Sequence, residues 1–159
     1  DQAPGNNNHN MFREMRSTAF FNKIRFSDPE AMPAWRVLRM ATIEGAQAVG
    51  LGDVIGSLEE GKRGDFILVN LDTPGMMPLH TYPMRNLVPN LVYGCQGGEV
   101  LLTAVEGKIL YENGIYNTLD VREVREYLPS FVRCLGEKAE HEFRKIRGVN
   151  MKLMEEGKL

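Results

Sequence analysis

Residues 40–69 read MATIEGAQAVGLGDVIGSLEEGKRGDFILV, and the change of character inside this stretch decides the fold class. Its first ten residues are helical in pattern. Ala41, Gly45, Ala48 and Val49 continue an apolar face begun by Ala34, Val37 and Leu38, at the spacing of one side of an α-helix. Pro33 suits the first position of that helix, where its missing N–H would have no partner in any case. The small side chains of Ala41, Gly45, Ala46 and Ala48 let a neighbour approach closely. Gly50 is placed to end the helix in the left-handed conformation that glycine adopts without steric cost. Beyond it Gly52, Gly56, Gly61 and Gly64 cut the chain into short pieces, and Phe66–Val69 is an apolar run of strand formers bounded by Asp65 and Asn70. The stretch predicts an α+β chain, helices first and short strands after.

Upstream, residues 1–10 are turn formers, with Pro4, Gly5 and the triplet Asn6, Asn7 and Asn8, whose amides suit a turn and a helix start. A helix is predicted from Met11 to Arg25, with Phe12, Met15, Ala19 and Lys23 at helical spacing and Asn8 or Asn10 as its cap. Ser27 and Glu30 have capping-box spacing, which predicts a second helix start there. Trp35 is expected in the core. Downstream, Pro74, Pro78, Pro83 and Pro89 predict an extended loop over residues 72–90, and Leu91-Val92-Tyr93 reads equally as helix or strand. Glu99–Val105, Lys108–Tyr111 and Ile115–Tyr116 read as a meander of strands, with tight turns at Glu106-Gly107 and Asn113-Gly114. Asp120 and Glu123 repeat the capping-box spacing before a long amphipathic helix. Pro129 predicts a kink or break near Leu128, and the residues from Gly148 are expected to fray.

The chain has 159 residues and a net charge of -2 with the signs interspersed, which opposes a clustered basic nucleic-acid surface. A chain of this size buries roughly 68–70% of its unfolded surface and needs neither disulfide nor structural metal to fold. No apolar run approaches the roughly 18 residues of a membrane span, and no signal-peptide pattern opens the chain. Cys95 and Cys134 form no C-x-x-C or spaced metal cluster, which points to a reducing, cytoplasmic compartment.

The wording of residues 40–69 strongly resembles the C-terminal signature of the amidohydrolase superfamily. There a helix of the form A-T-x-x-G-A-x-A-x-G-L leaves a barrel, and a segment I-G-S-L-x-x-G-K-x-A-D-F/L enters a small β-sandwich. Gly64 stands here where alanine is usual and Glu60 where proline is common. Val105-Glu106-Gly107-Lys108-Ile109-Leu110-Tyr111 resembles the hairpin that closes that sandwich. The opening resembles the deaminase and chlorohydrolase branch, whose T-D-G-x-x-S-N-N-x-x-D/N-M-x-x-E-M segment follows the eighth barrel strand. Asp1, Asn6, Asn7, Asn10, Met11, Glu14 and Met15 match it, with Gln2 in place of glycine. The resemblance runs from residue 1 to about 125.

The resemblance implies an α+β fragment. Residues 1–50 would be the loop and last helices of a (β/α)8 barrel, residues 51–118 a small β-sandwich, and residues 119–159 a C-terminal helical extension. It implies hydrolytic deamination, or C–Cl hydrolysis, of a small nitrogen heterocycle. The charge balance and the lack of a long apolar run predict no nucleic-acid or membrane partner, and apolar surface left on the first two helices predicts a homo-oligomer. It implies a Zn or Fe divalent cation held by histidines and one aspartate, with Asp1 as metal ligand and proton shuttle. A divalent cation makes water nucleophilic near neutral pH, and a carboxylate both ligates it and accepts a proton. His9, in the loop after Asp1, is the candidate substrate contact. His9, His80 and His141 form no H-x-H pair, so the segment by itself is expected to bind no catalytic metal. The other ligands are expected upstream of Asp1. The alternative reading is a non-catalytic α+β binding or scaffolding module.

Overall fold

The protein is described by a computed structural model that covers residues 8–146 and 148–158. Its contacts divide the chain into two units, residues 1–117 and 118–159.

The first unit joins helices to one antiparallel sheet. Helix α1 spans Met11–Phe26, α2 Ala34–Met40, α3 Ile43–Ala48 and α4 Leu87–Tyr93. Strands β1 (Phe66–Val69), β2 (Val100–Val105), β3 (Lys108–Glu112) and β4 (Ile115–Tyr116) pair in sequence order. Phe12, Met15 and Ala19 of α1 meet Ala34 and Val37 of α2 and Val88 and Val92 of α4, with Met76 and Cys95 closing the cluster. Fully burying Val37 or Val92 contributes about 1.5–3 kcal/mol each. Val69, Leu71 and Val100 pack partly against this cluster and tie the sheet to the helices. Along β2 the side chains alternate, Leu102 and Ala104 buried and Leu101 and Val105 exposed, as the pleat requires.

Both hairpin turns take the left-handed conformation at two successive residues, with φ of 52° and 75° at Glu106 and Gly107 and 47° and 89° at Asn113 and Gly114. Such turns match the twist of the paired strands. Gly50, at φ 75°, ends α3 as expected, and the Leu51 amide reaches back to the Ala46 carbonyl.

Four expectations change. Ser27 opens no helix: at φ 49° it closes α1, its amide donating to the Ile24 carbonyl while the Asp28 amide donates to Lys23. The helix expected from Pro33 to Val49 is two helices. Thr42 Oγ1 donates to the Leu38 carbonyl at 2.7 Å, and a Cβ on Gly45 would lie 2.7 Å from the Met40 carbonyl oxygen. A hydroxyl competing for a helical carbonyl bends the chain there. Trp35 lies on α2 but is 63% exposed rather than core. The loop expected over residues 72–90 ends early, because α4 begins at Leu87 with Pro89 in its first turn, where the lost N–H costs nothing, and the open segment 91–93 is helical.

The second unit consists of α5 (Val121–Ile146) and α6 (Val149–Glu155). Asp120 Oδ1 caps α5, accepting from the amides of Arg122 at 2.8 Å and Glu123 at 3.3 Å. Pro129 lies inside α5 without breaking it, and the residues after Gly148 form α6 rather than a frayed end. Val124, Tyr127, Leu128, Phe131, Val132 and Leu135 form an exposed apolar stripe along α5. No helix among the described residues is long and apolar enough to cross a membrane.

Candidate functional site

The chemistry expected of the chain is concentrated just before α1, so the site is built from the way that helix begins. Asn10 is extended (φ -95°, ψ 102°), and its Oδ1 accepts from the amides of Phe12 at 3.0 Å and Arg13 at 3.2 Å. That satisfies two of the donors every helix start leaves open. The other end of the same amide donates to the Gln96 carbonyl at 2.6 Å. The Asn10 backbone N–H in turn donates to Asn8 Oδ1 at 2.9 Å, closing a small turn around His9, which is exposed.

The turn that receives Asn10 is organised by Glu99. Its Oε2 accepts from the amides of Gln96 and Gly97, each at 3.0 Å, and from the Cys95 thiol at 3.3 Å. Arg16 adds a second link from α1, Nη2 donating to the Cys95 carbonyl at 3.4 Å. Burial opposes the Glu99 charge, but the amide donors and the thiol outweigh it and hold the carboxyl below its usual 4.5. Burial pushes the Cys95 thiol up to about 11, and the neighbouring Glu99 charge adds to that, so it stays protonated and inert at neutral pH.

A pH dependence follows. A carboxyl with a lowered folded pKa contributes stability that is present above the unfolded pKa and lost as pH falls through the folded one. The urea midpoint of the chain is therefore expected to exceed that of Glu99→Gln at pH 7, with the gap closing as pH falls below 4.5. A gap that stays constant from pH 7 to pH 3 would show that the charge of Glu99 is not what holds the turn.

Of the residues singled out by sequence, Asp1 lies outside the described residues, as do Asn6 and Asn7. His80 is exposed, its backbone amide donating to Asn86 Oδ1 at 2.7 Å, and His141 is exposed in the second unit. Among the described residues no three of His, Cys, Asp and Glu come together to hold a metal. An open apolar groove of about 640 Å³ is lined by Leu38, Ala41, Ala46, Val49, Ile55 and Leu58. Its one carboxylate, Asp65, accepts from the Glu106 amide at 2.7 Å and so serves the β2–β3 turn. Sequence reasoning missed Glu99 and the Asn10–Gln96 contact. The available signal was Gln96-Gly97-Gly98-Glu99, a carboxylate three residues beyond an amide with only glycines between.

The model of the amidohydrolase family matches residues 1–110. The chain belongs to the amidohydrolase family. Two proteins named 5-methylthioadenosine/S-adenosylhomocysteine deaminase are similar to it. That of Desulforamulus reducens is 39% identical over 130 residues, 79% of this chain and 29% of that protein. That of Moorella thermoacetica is 42% identical over 124 residues, 78% of this chain and 28% of that protein. Among solved structures, a zinc-bound adenosine deaminase from Xanthomonas campestris superposes with a TM-score of 0.77 at 30% identity, covering 84% of this chain and 29% of that one. A zinc complex of atrazine chlorohydrolase from Arthrobacter aurescens gives 0.62 at 25% identity, covering 75% and 25%. This amidohydrolase chain thus spans less than a third of the length of the relatives it matches. Its α+β make-up agrees with theirs over the shared part, and the reading as a non-catalytic module is not favoured.

Proposed function

We propose that the chain is the C-terminal part of a metal-dependent amidohydrolase that hydrolytically deaminates a small nitrogen heterocycle of the adenosine type. The observation that carries this reading is the identity of 39–42% to two proteins named 5-methylthioadenosine/S-adenosylhomocysteine deaminase. In this reading α1, α2 and α3 are the last helices of a (β/α)8 barrel, and the four-stranded sheet belongs to a small β-sandwich. Residues 119–159 are a helical extension. Phe20, Phe21, Ile24 and Trp35, all exposed on α1 and α2, are the surface that further barrel elements would cover.

The metal fits only in part. The described residues supply no three-donor set, so they do not hold a catalytic cation by themselves. Asp1 is proposed as the one ligand from this segment, the others being histidines elsewhere in a longer polypeptide. The cation, zinc or iron, would supply an activated water. His9 is proposed as a substrate contact, and the parent as a cytoplasmic homo-oligomer. The test is to assay ammonia release from adenosine by the longer polypeptide, with elemental analysis for zinc and iron. Release together with about one metal per chain is expected, and none of either from the 159-residue chain alone. A longer polypeptide that carries metal but spares every purine nucleoside offered would remove the deaminase reading.

A further inference from the structure

Asn10 makes more bonds than a helix cap needs. A cap must satisfy the amides at the helix start, and Oδ1 does so for Phe12 and Arg13; serine or threonine would serve as well. The surplus is the Nδ2 donation to the Gln96 carbonyl, across 86 residues of sequence. The far side is built to receive it. Gly97 stands at φ 98°, and a Cβ there would lie 3.1 Å from Asn10 Nδ2, so a side chain would be strained and would crowd the contact. Glu99 fixes the amides on either side of that carbonyl, and Arg16 anchors the next one along, at Cys95. The segment that precedes α1 is thereby tied to a turn that arrives with the sheet. His9 sits between Asn8 and Asn10, inside the turn closed by their 2.9 Å bond.

We infer that Asn10 is a positioning residue: acting through the 95–99 turn, it fixes where His9 stands for substrate. This rests on the proposed reading of His9 as a substrate contact. Holding a binding group in place before the ligand arrives removes an ordering cost that would otherwise weaken binding. Cutting the tie while keeping the cap therefore weakens ground-state binding and raises KM, with kcat little changed.

The experiment uses the longer polypeptide with adenosine as substrate. Asn10→Ser keeps an oxygen for the Phe12 and Arg13 amides and removes the donor to Gln96. It is expected to raise KM about tenfold, equivalent to about 1.4 kcal/mol of lost binding, with kcat and thermal midpoint close to wild type. Gly97→Ala, which attacks the same contact from the other side, is expected to raise KM similarly. His9→Ala is expected to do the same, and the His9→Ala/Asn10→Ser pair to be no worse than either alone. Asp120→Ala removes the cap of α5 and serves as control, lowering the thermal midpoint without moving KM. Asn10→Ser that only lowers the midpoint, as the control does, would overturn the inference. So would a KM effect of His9→Ala that Asn10→Ser does not share, and in that case the reading of His9 survives. A KM unmoved by His9→Ala overturns the reading of His9 and the inference together.

Discussion

Asp1→Asn in the longer polypeptide is expected to lower kcat for adenosine deamination by about a thousandfold, equivalent to about 4 kcal/mol of barrier. The substitution changes almost nothing in shape, and Asp1 is the one residue of this segment proposed as a metal ligand. An amide oxygen carries no formal charge to balance a divalent cation and is too weak a base to take a proton from water. Both losses fall on the chemical step, so kcat is expected to drop with KM less affected, and metal content is expected to fall with it. Steady-state kinetics and elemental analysis on the same preparation check the pair. Turnover within tenfold of wild type would show that the carboxylate is not at the reacting centre.

The largest expected effect on stability is at Gly94. A Cβ there would collide with the carbonyl oxygen of Gly75, and one on Gly75 would stand 2.9 Å from the Gly94 carbonyl. Two backbones cross here with no room for a side chain on either. Neither can retreat freely. The Gly94 amide donates to the Asn90 carbonyl at 2.7 Å, and the Asn90 side chain donates to the Met76 carbonyl at 2.8 Å. Met76 itself is fully buried beside Val92 and Cys95. Overpacking costs about 1–3 kcal/mol where side chains can shift. Here the obstacle is backbone, so Gly94→Ala is expected at or above the top of that range, read as a fall in the urea midpoint. Gly98→Ala is the control: nothing lies within 4 Å of its Cβ, and a change within about 0.5 kcal/mol is expected. A Gly94→Ala midpoint as high as the control's would mean the crossing has slack.

What could be read in advance follows from how local each determinant is. The two hairpins were legible because Glu106-Gly107 and Asn113-Gly114 carry the turn in their own residues. The glycine stop at Gly50 was legible for the same reason, as was a cap at Asn8 or Asn10, of which the structure uses Asn10. The break at Thr42 was not, since it turns on a hydroxyl choosing the Leu38 carbonyl over water. Ser27 misled because the residues that can open a helix can also close one when φ turns positive. Trp35 misled because periodicity tells which residues share a face and is silent on what covers that face. For the site, Asp1 came from wording shared with a family, and His9 only from its place in the loop after Asp1. The seat that holds the segment after them had no such trace, because the bond from Asn10 spans 86 residues and ends on a backbone carbonyl.

Trp35 has a use beyond its place in the fold. It is the chain's single tryptophan, and most of its ring meets solvent. Indole emission moves to shorter wavelength as water leaves the ring, so α2 carries its own optical gauge of contact. Mixing the segment with further pieces of a longer polypeptide becomes a fluorescence titration without labels, and the colour of one residue marks the moment that surface is covered.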